Sequence, residues 1–213
     1  MYATISADIV SSTSLSAQAL IDISYAIKKC LLEFETSYDG FWGRLVKGDS
    51  IECVVQNPKD ALRIALGIKT LIKSFVPDGG ASKKFSQYGV RIAVAIDDLR
   101  IINRNLDIID GEAIYLSGRA VSEKKTKSEM FAVCGSGCPC RKEIQIMVSM
   151  IDAILNQAKP RQCEAMYYKL RGISQNDISA IMDIKPPTVT AHLQAICWSS
   201  IEPVLEYYES LNF

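Results

Sequence analysis

The sequence predicts an α+β fold, a mostly antiparallel sheet with helices packed against it, joined to a small all-α unit. Three observations carry this. Short β-branched runs bounded by turn residues alternate with stretches whose apolar residues recur every three or four positions. Read in order they give strand, helix, hairpin, helix, strand, helix, strand, a pattern that closes as a sheet with packed helices. From Pro160 onward the pattern changes to short helices with tight turns. The 213 residues, 48% apolar and 23% charged, match a globular chain of two domains. The expected division is 1–140 for the α+β domain, 141–159 for a connector helix and 160–213 for the helical domain.

Tyr2 to Val10 reads as a buried strand ending in Asp8-Ile9-Val10. Ser11, Ser12 and Thr13 follow as good helix caps, and Leu20, Ile23, Ile27, Cys30, Leu31 and Phe34 form the stripe of an amphipathic helix. Phe41 to Val46 and Ile51 to Val55 flank Gly48-Asp49, a hairpin signature. Asn57-Pro58 ends it, and Lys59 to Val76 resumes a helical period. Pro77 to Ser86 is a polar loop. Val90 to Ile96 is a further strand, which Ile101-Ile102 extends past a turn. Glu112 to Ser122 is a helix opened by Asp110-Gly111, and Met130 to Cys134 a short strand. Lys142 to Asn156 turns Ile144, Met147, Val148, Ile151 and Leu155 inward.

Equal numbers of acidic and basic side chains, 24 of each, exclude a broadly basic nucleic-acid coat. One histidine excludes any mechanism that needs two. No apolar run approaches the ~18–20 residues of a membrane span, and no basic-then-apolar leader opens the chain. A soluble, cytoplasmic protein without a membrane partner is expected, its seven cysteines reduced. The spacing of Cys134, Cys138 and Cys140 fits no common structural zinc site, so no zinc is expected.

In the C-terminal part, Ser174 caps a short helix with Ile178, Ile181 and Met182 on one face. A turn leads to Pro186-Pro187-Thr188-Val189-Thr190-Ala191-His192-Leu193-Gln194, a second helix opened by proline. Two short helices joined by a tight turn form a helix-turn-helix, whose second helix enters the major groove of DNA. The candidate DNA contacts are Lys185, Thr188, Thr190, His192 and Gln194. The same helix pair also serves as a packing or dimerisation module. From Pro160 on, four basic side chains face six acidic ones, so the first 159 residues hold the positive excess.

In the N-terminal part, Asp8 ends a strand beside a helix start, where backbone N–H groups favour phosphate. Asp49 stands at a hairpin turn, and two carboxylates on adjacent strand ends suit Mg²⁺ or Mn²⁺. Tyr115 and Arg119 lie one helical turn apart, and an arginine there stabilises charge on a transferring phosphoryl group. Against this, Asp8 also reads as a helix cap, Asp49 as a turn residue and Arg119 as part of a solvated face.

These residues, in this order, resemble a class III nucleotidyl cyclase domain: Asp8-Ile9 with Ser12-Thr13, then Gly48-Asp49 in a hairpin, then Gly111, Tyr115 and Arg119 at four-residue spacing. With the C-terminal helices and the closing Trp198, the whole chain is similar to the SatD family of bacterial proteins. The resemblance implies a ferredoxin-like/cyclase-like sheet, metal binding by Asp8 and Asp49, and a transition-state role for Arg119 in an active enzyme. It further implies nucleotide contacts at Ile9, Ser11, Ser12, Thr13, Lys47 and Tyr115, and a head-to-tail homodimer. The chain departs from the cyclase pattern in having Tyr115 where an asparagine is usual, and in a hairpin two residues short before Gly48. The combined expectation is a regulatory protein that binds a nucleotide and touches DNA. The alternatives are an active cyclase and a non-catalytic interaction scaffold.

Overall fold

A computed structural model describes residues 1–10, 15–76, 89–123 and 129–213. β1 (Tyr2–Val10) leads to α1 (Ala17–Ser37), the hairpin β2 (Trp42–Val46) and β3 (Ser50–Val55), and then α2 (Ala61–Ser74). β4 (Gly89–Asp97), β5 (Ile101–Asn103) and β6 (Ile108–Asp110) precede α3 (Glu112–Glu123) and β7 (Met130–Cys134). Five helices close the chain: α4 (Arg141–Leu155), α5 (Pro160–Leu170), α6 (Gln175–Ile181), α7 (Pro186–Ala195) and α8 (Trp198–Ser210).

The sheet runs β2-β3-β1-β4-β7. Its first four strands are antiparallel neighbours, and with α1 and α2 they form a β-α-β-β-α-β unit of ferredoxin-like order. β7 adds parallel to β4 by the crossover through α3. The α+β class predicted from the sequence is therefore the one observed.

Side chains alternate across β1 and give the sheet two different faces. Ala3, Ile5, Ala7 and Ile9 enter the main core with α1, α2 and α4. On the other face Thr4 and Ser6 meet α3, beside a small cluster of Ala93, Ala120, Val121 and Phe131. The main core continues without a break into the C-terminal helices through Cys163, Met166, Ile178, Val189, Leu193 and Leu205. Polar ties reinforce this joint. Arg171 pairs with Glu33 of α1 at 3.0 Å and Arg63 of α2 with Glu209 of α8 at 2.6 Å. The buried Tyr208 hydroxyl donates to the Pro58 carbonyl at 2.9 Å. Tyr208→Phe leaves that carbonyl with the Ala61 N–H alone and is expected to lower the unfolding free energy by about 1 kcal/mol in a urea titration. An unchanged midpoint would show that the hydroxyl fastens nothing.

Several local expectations differ from the structure. The cap of α1 is Ser16, whose oxygen accepts from the Ala19 N–H, while Ser11, Ser12 and Thr13 lie outside the described residues. The polar loop at 77–86 also lies outside them. α2 starts at Ala61, because Pro58–Asp60 forms a 3₁₀ turn capped by Asn57. Ile101 and Ile102 do not extend β4; they pair with Asp110 and Ile109 in a separate hairpin. Ile181 is 52% exposed, because Ile178 and Met182, four residues apart, occupy the inward face of the short α6.

Candidate functional site

The site grows from the β2–β3 turn. Lys47 and Gly48 both take left-handed backbone angles (φ 53° and 85°), as a tight hairpin turn requires, and Gly48 does so without a side-chain penalty. Two hydrogen bonds fasten the turn. Ile9 N–H donates to the Asp49 carbonyl at 3.1 Å, and Ser24 of α1 donates to the Gly48 carbonyl at 3.1 Å. Asp49 is thereby held beside the end of β1. Asp8 pairs in register with Ser50 on β3 and Arg91 on β4. The Ser50 hydroxyl lies 3.4 Å from Asp8 Oδ1 as its donor.

Burial raises the pKa of Asp8 first, and the neighbouring Asp49 charge raises it further; the Ser50 hydrogen bond and Arg91 oppose them. The folded chain thus holds this proton more tightly than the unfolded chain. Stability linked to it is present below the unfolded pKa and is lost as pH rises through the folded pKa. Asp8→Asn removes the repulsion and is expected to raise the neutral-pH melting temperature, with the gain shrinking at acid pH. A lower melting temperature in the variant would contradict this electrostatic account.

Asp8, Ser50, Glu52 and Arg91 line a cavity of about 340 Å³ between the sheet and α3. A second cavity of about 410 Å³ is lined by Arg44, Glu52, Ile114, Tyr115 and Arg119. The two share Glu52, Gly118 and Ser122, so they form one cleft with Asp8 at one end and Arg119 at the other. Arg44 bridges the wall: it binds Glu52 through Nε and Nη2 at 2.9 and 2.6 Å and also reaches Asp107 of the β5–β6 turn.

The expected nucleotide contacts are placed unequally. Ile9 is 2% exposed, its side chain lies in the main core on the face opposite α3, and its N–H is taken by Asp49. Lys47 is exposed on the turn. Tyr115 lines the cleft, but its hydroxyl donates to Asp110, which Arg100 also binds. These bonds hold the Asp110 carboxyl below the usual carboxylate range and push the Tyr115 phenol up. Ser50, Glu52, Arg44 and Arg91 were not singled out by sequence reasoning. Only strand register brings them to Asp8, and no local motif marks register.

At the other end of the chain, α6 and α7 are joined by a four-residue turn, Met182 to Lys185. Lys185, Thr188 and Gln194 are exposed, while the Thr190 hydroxyl lies 3.2 Å from Gln175 Oε1. His192 is half-buried, and burial, followed by the nearby Arg161 charge, lowers its pKa. Arg161 itself is engaged by Glu164 and the Met182 carbonyl. Among the described residues all seven cysteines are free thiols. No group of three or more His, Cys, Asp or Glu side chains among them is arranged to hold a metal, and no helix is long and apolar enough to cross a membrane.

Neither a protein-family profile nor a curated protein matches the chain. Among solved structures, it is similar to adenylate cyclases from Trypanosoma brucei in their monomeric state, at TM-score 0.48 and 14% identity, over 62% of this chain and 72% of that one. It is similar to the monomeric guanylyl cyclase domain of the RhoGC fusion protein from the aquatic fungus Blastocladiella emersonii, at 0.45 and 18%, over 62% and 79%. A bacterial light-regulated adenylyl cyclase gives 0.44 and 12%, over 68% and 79%.

Proposed function

We propose that the cleft between the sheet and α3 binds a nucleoside triphosphate with a divalent cation, and that the chain is a regulatory protein answering to that nucleotide. One observation carries the reading: Asp8, with the Asp49 charge near enough to raise its pKa, lines a cleft that also presents Arg91 and Arg119. Two repelling carboxylates fit Mg²⁺ or Mn²⁺, hard cations that take a few carboxylates plus phosphate oxygens. Asp8 and Asp49 would hold the ion. When bound, it supplies neutralisation of phosphate charge. Arg91, directly across from Asp8 on β4, offers a planar donor fork to the phosphates, and Arg119 offers a second along α3. Ile109, Ile114 and the Tyr115 ring give the far end an apolar wall on which a base can lie.

The β5–β6 hairpin leaves Ile101, Ile102, Leu106 and Ile108 between 38% and 66% exposed close to this cleft. That apolar surface supports a homodimer as the working form. The exposed positions Lys185, Thr188 and Gln194 on the second helix of a helix-turn-helix-like pair support contact with DNA. A mobility shift on the protein's own upstream sequence at low salt, with and without nucleotide, tests the DNA contact; no retardation in either lane removes it.

A second reading, nucleotide cyclisation, is favoured by Arg119 lying along the same cleft as Asp8. It predicts Mn²⁺-dependent pyrophosphate release that Asp49→Ala abolishes. No release from any of the four triphosphates leaves a binding domain without turnover.

A further inference from the structure

We infer that Ser117 is a positioning residue that fixes the rotation of α3 over the cleft, through a buried three-hydroxyl lock with Thr4 and Ser6 of β1. The inference rests on the nucleotide-binding reading above. Ser117 and Thr4 are fully buried and Ser6 is 7% exposed. The Ser117 oxygen lies 2.8 Å from Ser6 Oγ and 3.1 Å from Thr4 Oγ1, and it donates to the Ile114 carbonyl at 3.2 Å. With its one proton given to Ile114, Ser117 accepts from both strand hydroxyls, and all three groups are satisfied.

Such a cluster matters here because the other polar ties of α3, from the Ala113 N–H to the Asp98 carbonyl and from the Tyr115 hydroxyl to Asp110, hold only its first turn. Ala120 and Val121 of α3 meet Ala93, Phe131 and Val133 of the sheet, a cluster far smaller than the core on the other face. Dispersion contacts carry little directional preference, so this small cluster alone constrains the roll of α3 weakly. Buried hydroxyls are different. Rotating α3 breaks their mutual hydrogen bonds inside an apolar interface, where unpaired polar groups are costly.

The consequence falls on the cleft. Tyr115 and Arg119 lie two residues before and after Ser117, about 200° around the helix in either direction. With Ser117 turned to the sheet, both lie on the opposite flank of the helix, where they line the outer part of the cleft, and a roll of α3 about Ser117 moves them together. Gly118, the next residue, lines both cavities and has nothing within 4 Å of where a Cβ would stand, so the helix has open space to turn into. The lock therefore sets where Arg119 points relative to Asp8; Ser6 lines the cavity, whereas Ser117 and Thr4 line neither cavity and act only through the helix.

The test uses the full chain with Mn²⁺ and N-methylanthraniloyl derivatives of ATP and GTP. Ser117→Ala is expected to weaken triphosphate binding about ten-fold while Mn²⁺ alone binds as in the wild type. Thr4→Val, which keeps shape and loses the hydroxyl, is expected to weaken it about two- to three-fold, and Thr4→Ser to restore it. Amide hydrogen exchange is expected to quicken in α3 of Ser117→Ala more than in α1 or α2. Unchanged triphosphate binding in Ser117→Ala overturns the inference, as does a uniform rise in exchange across the whole fold. If the wild type binds neither analogue, the nucleotide reading fails instead, and the α3 exchange pattern still decides whether the hydroxyls hold the helix.

Discussion

Replacing Asp8 with asparagine is expected to weaken cation-dependent triphosphate binding by more than about 100-fold while the chain stays folded. The size follows from what the residue does. In the free chain its charge is half-desolvated and repelled by Asp49, and a bound divalent ion relieves both penalties. Asparagine keeps the shape and removes the charge that a cation would need there. Because the same change removes repulsion, the variant is expected to gain thermal stability as it loses ligand, the opposition usual where a site is built at the expense of the fold. Calorimetric titration and thermal melting on one preparation check both halves. Loss of ligand accompanied by loss of structure would mean that Asp8 acts only as a strand-end anchor. Affinity for the cation is also expected to rise with pH as the raised Asp8 carboxyl loses its proton.

The second large effect concerns stability. Asp152 of α4 is 3% exposed and lies 3.4 Å from the fully buried Lys69 of α2. Lys69 and Lys73 both reach Glu129, at 3.1 and 3.5 Å, and the Glu129 N–H donates to Asp152 Oδ2. Burial lowers the pKa of Lys69, and the carboxylates around it oppose that. Asp152→Asn leaves two buried ammonium groups against one carboxylate. The expected loss is about 3–5 kcal/mol, the range for a buried pair broken from one side. Replacing Lys69 by methionine in the same chain should recover most of it, because an apolar side chain removes the stranded charge. Urea unfolding of the two variants decides the matter, and a single variant as stable as the wild type would show that water reaches the cluster.

These two sites differ in how far the sequence reveals them. Asp8 and Asp49 are legible because strand ends and hairpin turns have local signatures, and a carboxylate at such a position is conspicuous. Their neighbours Ser50 and Arg91 are not, since pairing of β1 with β3 and β4 alone brings them together. Lys69 and Lys73 mislead more strongly. On an amphipathic helix lysine reads as the solvated face, and nothing near α2 in the chain announces that Asp152, 83 residues beyond Lys69, covers that face. Tyr115 shows a third kind of gap. Its position on the cleft follows from helical spacing, whereas its hydroxyl is directed by Asp110, a residue of a hairpin that the periodicity of β4 does not foresee. Apolar periodicity thus located most elements, and polar partnership across the sheet and helix layers escaped it.

Equilibrium titration of the wild-type chain with ATP and GTP, each with and without Mn²⁺, decides whether the cleft takes a nucleotide through a cation. Saturable binding of one triphosphate per chain is expected, requiring the cation and disappearing in both Asp8→Asn and Asp49→Asn. Binding that is indifferent to the cation, or that survives loss of both carboxylates, would contradict it.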